Sequence, residues 1–165
     1  MTNFKNDKFY KITNAKQTIP ASANGTGTVS TSGIFVTGTS TLFVSEMSKG
    51  SWITDLTNNE IREVDEVLSD TSAKLKQAFT ADLSSVTPNI IAKRDLDIRE
   101  LSVIIPLVNA AGTAYAFGEI DGVELESGLP LTFGKASKDT KDTFSYIDPI
   151  IADATGTVMN VTILK

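Results

Sequence analysis

The chain has no cysteine and no histidine. The first absence excludes disulfides, zinc-thiolate centres and cysteine nucleophiles. The second removes the commonest general base and the commonest metal ligand, so no Ser-His-Asp triad can be assembled. An enzyme would be left with carboxylate or lysine chemistry, and the expectation is a protein with neither a catalytic site nor a cofactor. A basic excess is also lacking: 15 Lys and Arg face 20 Asp and Glu, a net charge of −5. That argues against direct, sequence-independent nucleic-acid binding, which needs a basic face to displace counterions. No apolar run reaches the roughly 18 residues of a membrane-spanning helix. The opening MTNFKNDKFYKITNAK has no apolar signal core. The expected setting is the cytoplasm, with no membrane partner. Aromatics are sparse at 7%, with eight Phe outnumbering one Trp and three Tyr.

What is present is enough for a core. The 165 residues are 41% hydrophobic, which suits one compact domain or two small ones. Residues 1–20 carry Lys5, Lys8, Lys11 and Lys16 against Asp7 alone, so they form a basic arm on an acidic chain. Such an arm is either a solvated terminus or a segment that docks on an acidic neighbour, including another copy. Lys5, Lys8, Tyr10, Lys11 and Lys16 are the candidate subunit-contact residues on the second reading.

From Thr28 onward Thr, Val, Ile and Phe dominate, side chains that fit a pleated, half-buried surface. Strands are expected at Thr28–Ser32, Ile34–Thr37, Thr41–Val44 and Ser51–Asp55, with Gly33 and Gly38 marking turns or bulges. Lys49-Gly50 and Thr57-Asn58-Asn59 read as turns. Residues 60–79 stay open between two readings. Ile61, Val64, Val67 and Leu68 fall near helical spacing, whereas the Ser69-Asp70-Thr71 cluster splits the segment into two strands. Residues 81–88 read as a loop, Ile90–Ala92 as a short strand and residues 93–100 as a charged connector. Further strands are expected at Leu101–Val108, Thr113–Phe117, Ile147–Ile151 and Val158–Leu164. Turns are expected at 109–112 and 128–130, a charged loop at 135–143, and a two-residue hairpin at Asp121-Gly122.

The chemical motifs fail on inspection. GLPLTFGKA (128–136) has five residues between its glycines and Ala136 where a phosphate loop needs a hydroxyl. DLTNNE (55–60) begins like a calcium loop but lacks its glycine and central ligands. Asp65 and Glu66, or Asp95 and Asp97, are carboxylate pairs on which nothing else in the sequence converges.

The pattern from Gly33 to Phe79 is more informative. GIFVTGTSTLF (33–43), SEM (45–47), KGSWI (49–53), EIR (60–62) with Val64 and Val67, SDT (69–71) and LKQAF (75–79) form an ordered series. It resembles a module of tailed-bacteriophage virion structural proteins, with its VTGTGT-x-F, GD-x-I, E-x-R-x-V-x-x-I and SDT-x-L-x-L strands. The resemblance covers Thr28 to Phe79. Ser51 replaces the usual acidic residue, and Val67-Leu68 and Ala73-Lys74-Leu75 blur the strand alternation. RELSVIIPL and YIDPIIADATGT in the second half also look like phage capsid-associated proteins, including auxiliary capsid proteins of crAss-like phages.

The combined expectation is an all-β chain: the arm at 1–20, a small β-barrel-like module at 21–92 and a β-sandwich-like antiparallel half at 93–165. The resemblance implies a non-enzymatic virion protein, an auxiliary or decoration protein bound outside the capsid shell after assembly in the host cytoplasm. Its partners would be the major capsid protein and copies of itself, as a homo-oligomer. A tail, collar or head-fibre component is the alternative within that class. A carbohydrate-binding β-module is the alternative outside it, with Trp52, Tyr115 or Tyr146 as stacking residues, although Trp52 beside Ile53 reads better as core.

Overall fold

The computed structural model describes residues 8–93, 100–104, 114–117, 122–125, 131–134 and 148–164. In chain order its elements are β1 (Lys8–Thr13), β2 (Lys16–Ile19), β3 (Ala23–Asn24), β4 (Thr28–Ser32), β5 (Phe35–Thr39), α1 (Phe43–Glu46), β6 (Trp52–Asp55), β7 (Glu60–Ser69), β8 (Ser72–Leu75) and β9 (Asn89–Ile91). They continue with β10 (Glu100–Ile104), β11 (Ala114–Phe117), β12 (Gly122–Leu125), β13 (Leu131–Gly134), β14 (Ile150–Asp153) and β15 (Val158–Leu164). The protein is all-β in character, with every paired strand antiparallel.

Residues 23–91 form a seven-stranded sheet in the order β3-β9-β6-β7-β8-β5-β4. Its two ends are consecutive in the chain, and the segment leading into β9 ties them together. Val29 and Val86 exchange backbone hydrogen bonds at 2.8 and 3.0 Å, Thr31 N–H donates to Leu83 O at 3.0 Å and Gly25 N–H donates to Pro88 O at 2.7 Å. Backbone groups that an open edge would leave to water are thus paired.

The β4–β5 hairpin turns in two residues, since Ser32 pairs with Phe35. Gly33 takes φ +58° there, the left-handed conformation that short hairpin turns require. Gly38 serves a different end. A side chain at that position would sit 2.0 Å from Thr41 Oγ1 and 2.9 Å from the Phe43 ring, so its absence lets Phe43 pass into the core. Phe43 is fully buried with Val29, Val36, Ile53, Val64 and Leu75.

The Thr41–Val44 strand expected from the sequence is corrected. Residues 43–46 are a single helical turn. Asp70, in the β7–β8 turn, holds it: its backbone oxygen accepts from Phe43 N–H at 3.3 Å and from the Thr41 hydroxyl, and its Oδ1 accepts from Val44 N–H at 3.0 Å. Residues 60–79 resolve as two strands, β7 and β8. Val64 and Val67 both reach the core although three residues apart, because a β-bulge between Val64 and Glu66 inserts one residue. Ile61 faces the opposite way, onto Trp52, Ile91 and Ile151.

Arg62 closes this end of the sheet. It is 5% exposed. Its Nε–H donates to Ala78 O at 2.7 Å, its Nη1–H to Ile61 O at 2.8 Å and its Nη2–H to Glu60 Oε2 at 2.8 Å. Its guanidinium lies 5.4 Å from the centre of the Phe79 ring, a cation–π distance. Glu60 Oε2 also accepts from Thr80 N–H at 2.9 Å.

The remaining strands form two four-stranded sheets, β1-β15-β10-β13 and β12-β11-β14-β2. Here the arm at 1–20 is corrected. Residues 8–13 pair with β15, Lys8 opposite Ile163 and Thr13 opposite Val158, and Lys16–Ile19 pair with Asp153–Ile150 of β14. Residues 8–19 are therefore strands of the same sheets as β14 and β15 rather than an extended arm. The two corners interlock: Asn14 N–H donates to Thr157 O at 2.9 Å, Gly156 N–H to Asn14 Oδ1 at 2.8 Å and Ala154 N–H to Ala15 O at 3.0 Å.

In the second half the Asp121-Gly122 turn is also corrected. Gly122 is already a strand residue, paired with Phe117, and residues 118–121 lie outside the described residues. The turns expected at 109–112 and 128–130 and the charged loop 135–143 likewise lie outside them.

Candidate interaction surface

The predicted contact residues have different fates. Lys5 lies outside the described residues. Lys8, Tyr10 and Lys11 stand on β1, at the end of its sheet, and Lys11 is exposed. Lys16 is no free contact residue. Its Nζ donates to Asn59 Oδ1 at 3.0 Å and lies 3.4 Å from Asp153 Oδ2. It thereby joins β2, β14 and the β6–β7 turn.

That joint is built on an apolar contact. Ile151 of β14 packs on Trp52, Ile61 and Ile91, with Leu56 beside them. Trp52 and Ile91 point to the joint while Ile53 and Ile90 point into the core, so β6 and β9 are covered on both faces. Charge frames the contact. Burial raises the Asp153 carboxyl, but hydrogen bonds from the Thr155 hydroxyl at 2.7 Å and N–H at 3.0 Å, together with Lys16, outweigh it and hold Asp153 below the usual range. Asp148 is pushed the other way, by partial burial and then by the charge of Glu63, with Lys76 offsetting some of this. Much of the Asp148 surface stays exposed, so its effect is modest.

A second surface lies at the far end of the seven-stranded sheet, where α1 meets the β7–β8 hairpin. Leu42 is 47%, Val44 65% and Leu68 55% exposed. Beside them a groove of about 580 Å³ is lined by Val44, Met47, Ser48, Lys49, Asp65, Glu66 and Val67. Lys49 Nζ meets Asp65 Oδ1 at 2.8 Å across its rim, and this hydrogen bond and charge lower the Asp65 carboxyl from its ordinary value. An apolar floor with a paired rim suits side-chain docking better than proton transfer, which needs a group poised near neutrality. Sequence reasoning missed Leu42, Val44 and Leu68. The available signal was their apolar character at positions that alternate with buried Phe43 and half-buried Val67.

A smaller cavity of about 200 Å³ lies between β3, β9 and α1, lined in part by Gly25, Glu46 and Ile90. Glu46 Oε1 accepts from Thr26 N–H at 2.8 Å and from its hydroxyl, while Oε2 is buried with no hydrogen-bond partner. The calcium-loop resemblance at Asp55 is resolved as turn chemistry. Asp55 Oδ1 accepts from Thr57 N–H at 2.9 Å and Oδ2 from Asn58 Nδ2 at 2.7 Å, the side-chain bonding of an Asx turn. Among the described residues no group of three His, Cys, Asp or Glu is placed to hold a metal ion, and no helix is long and apolar enough to cross a membrane. No family model matches the chain, and neither a curated protein nor a solved structure matches it.

Proposed function

We propose that this chain is a virion structural subunit of a tailed bacteriophage, an auxiliary or decoration protein on the outside of the capsid shell. The major capsid protein and further copies of the chain are its partners. One observation carries the reading beyond the sequence resemblance. The resembling segment, Thr28 to Phe79, folds as neighbouring strands β6-β7-β8-β5-β4 of one sheet whose ends are tied. This supports a small barrel as the module. The exposed Leu42, Val44 and Leu68 beside the α1 groove supply apolar surface of the kind that marks protein contacts. Many weak contacts of this kind act together on a symmetric shell.

The carbohydrate-binding alternative loses one of its three aromatics, because Trp52 is buried in the joint. The side chains of Tyr115 and Tyr146 lie outside the described residues.

Copy number in purified particles tests the proposal. A stoichiometry near that of the major capsid protein is expected. A dozen copies or fewer would overturn decoration and favour a tail, collar or head-fibre position. Saturable glycan binding by the isolated chain, lost in Tyr146→Ala, would favour the carbohydrate reading instead.

A further inference from the structure

An amine, an amide and a carboxylate meet at the joint. Lys16 of β2 and Asp153 of β14 are direct cross-strand partners. Ile151, two residues before Asp153, packs on Trp52, Ile61 and Ile91, and the alternation of a strand puts Asp153 on that same face. Lys16 is thereby aimed at the β6–β7 turn, where its Nζ donates to Asn59 Oδ1 at 3.0 Å and lies 3.4 Å from Asp153 Oδ2. The surrounding contacts hold this arrangement. Asp153 Oδ1 accepts from the Thr155 N–H and hydroxyl, which leaves Oδ2 to the amine. The neighbouring amide is occupied, since Asn58 Nδ2 donates to Asp55 Oδ2 at 2.7 Å. Asn59 is the amide that faces Lys16, and it holds φ +56°, a conformation that asparagine accepts more readily than most residues.

We propose that Lys16 and Asn59 close into an isopeptide bond, a covalent tie between β2 and the β6–β7 turn that Asp153 assists. The amide carbon lies one C=O bond, about 1.2 Å, beyond the oxygen that Nζ already meets. Amides resist free amines in water, but fixing nucleophile and carbonyl about 3–3.5 Å apart is worth many orders of magnitude in effective concentration. A proton passes from Nζ to Asp153 Oδ2 within their contact, which makes the amine a nucleophile and the carboxyl an acid in one transfer. Nζ then adds to Cγ. The Cγ–Nδ2 bond breaks as Nδ2 takes the proton from Asp153, and the ammonia carries off a second Nζ proton as ammonium. The Lys16 ammonium and the Asn59 carboxamide thus become a secondary amide and free ammonium, with the Asp153 carboxylate restored. Asp153 is held below the usual carboxylate range, so the first transfer is uphill and closure is slow, which a reaction that each chain performs once tolerates. The Lys16 side chain is 31% exposed, which gives the ammonia a way out. The tie spans 43 residues of sequence and needs no oxidant, in a chain that has no thiol to make a disulfide. It does not rest on the chain being a virion subunit.

The intact mass of the purified full chain, followed through prolonged incubation at physiological temperature, reads the reaction. A fraction lighter by one ammonia is expected and should grow with time. Proteolysis and tandem mass spectrometry should then give a branched peptide that joins Lys16 to Asn59. A wild type that keeps its full mass throughout overturns the proposal. So does a loss of ammonia that maps elsewhere, such as a backbone succinimide at Asn24-Gly25.

Substitutions assign the roles. Lys16→Arg keeps a cation beside Asp153 but has no amine to attack, and Asn59→Gly accepts the positive φ without strain but has no amide. Neither variant should yield the branched peptide. Asp153→Ala removes the carboxylate without offering Lys16 a second amide. It should reach the same product about a hundredfold more slowly. Circular dichroism of each variant verifies the fold. Closure of folded Asp153→Ala at the wild-type rate would overturn the part given to Asp153. A loss of ammonia that persists unchanged in folded Lys16→Arg would overturn the bond itself. No particle is present in these experiments, so their outcome is independent of capsid attachment.

Discussion

The seven-stranded sheet of residues 23–91 and the two sheets that hold residues 8–19 and 100–164 use the same antiparallel pairing but close in different ways. In the first, β4–β5, β6–β7 and β7–β8 are hairpins of neighbours in sequence, and the longer-range pairs β5–β8, β6–β9 and β3–β9 all stay within residues 23–91. In the second, the beginning of the chain pairs with its end, Lys8 opposite Ile163 and Lys16 opposite Asp153. Local closure costs less loop entropy than pairing residues from opposite ends of the described chain. The seven-stranded sheet should therefore tolerate the loss of the terminal strands, while the other two sheets depend on both ends.

The largest effect tests that asymmetry directly. Deleting residues 1–19 removes β1 and β2 and should unfold the 100–164 region while β4 to β8 persist. Hydrogen exchange should show protection kept at Val36 and Val64 and lost at Ile151 and Val161. Uniform loss of protection would show that the two regions fold as one unit.

Arg62→Ala attacks the seven-stranded sheet from within. It strips partners from the Ala78 and Ile61 carbonyls and from Glu60. A loss of about 3–5 kcal/mol is expected, the cost of breaking a buried ion pair by removing one partner, read by urea unfolding.

Ile151→Ala acts on the joint between the regions. Removing the side chain that packs on Trp52, Ile61 and Ile91 should cost about 2–4 kcal/mol. Its particular signature is a change in Trp52 fluorescence and a widening gap between the unfolding transitions of the two regions. A single transition with unchanged fluorescence would deny Ile151 this linking role.

The smallest effect is a dependence on pH. Asp153 is held below the usual carboxylate range, so its contribution is fully present above the unfolded-state value near 4. It is lost as pH falls through the lowered folded-state value. Asp153→Asn should flatten the acid decline of the melting temperature and leave a lower, less pH-dependent stability at neutrality. Asp148 works in the opposite sense. Its raised pKa makes the folded state gain as pH falls through that value, so Asp148→Asn should raise stability slightly near neutral pH. An unchanged acid profile in Asp153→Asn would remove Lys16 and Thr155 as determinants of the joint.

Much of the seven-stranded sheet was legible in the residues. Thr28–Ser32 is β4 as expected, the turns at Lys49-Gly50 and Asn58-Asn59 lie where their side chains favour them, and Ile90-Ile91 is part of β9. The ambiguity at 60–79 had a physical origin. A strand buried on both faces and interrupted by bulges places apolar residues three apart, and Ile61, Val64 and Val67 imitate one face of a helix. Leu42-Phe43-Val44 misled for the converse reason. Only Phe43 is buried, the alternation of a strand, yet Asp70 holds the segment as a helical turn from 26 residues away. The arm misled because lysines drew attention away from KFYKIT and KQTI, whose Phe, Tyr, Ile and Thr are strand formers. The apolar alternation at Leu42, Val44 and Leu68 was in the sequence, but their grouping into one surface was not legible, because it exists only where α1 and the β7–β8 hairpin meet.

By itself the sequence determined the all-β character, through branched and aromatic residues set between turn formers at short intervals. It also excluded thiol and imidazole chemistry. Tertiary structure alone decided that Lys16 is engaged at a joint and that β6 and β9 are covered on both faces. Side-chain type and spacing act locally and can be read in order along the chain. Which strand pairs with which is settled only when all of them compete for the same backbone hydrogen bonds and the same buried surface.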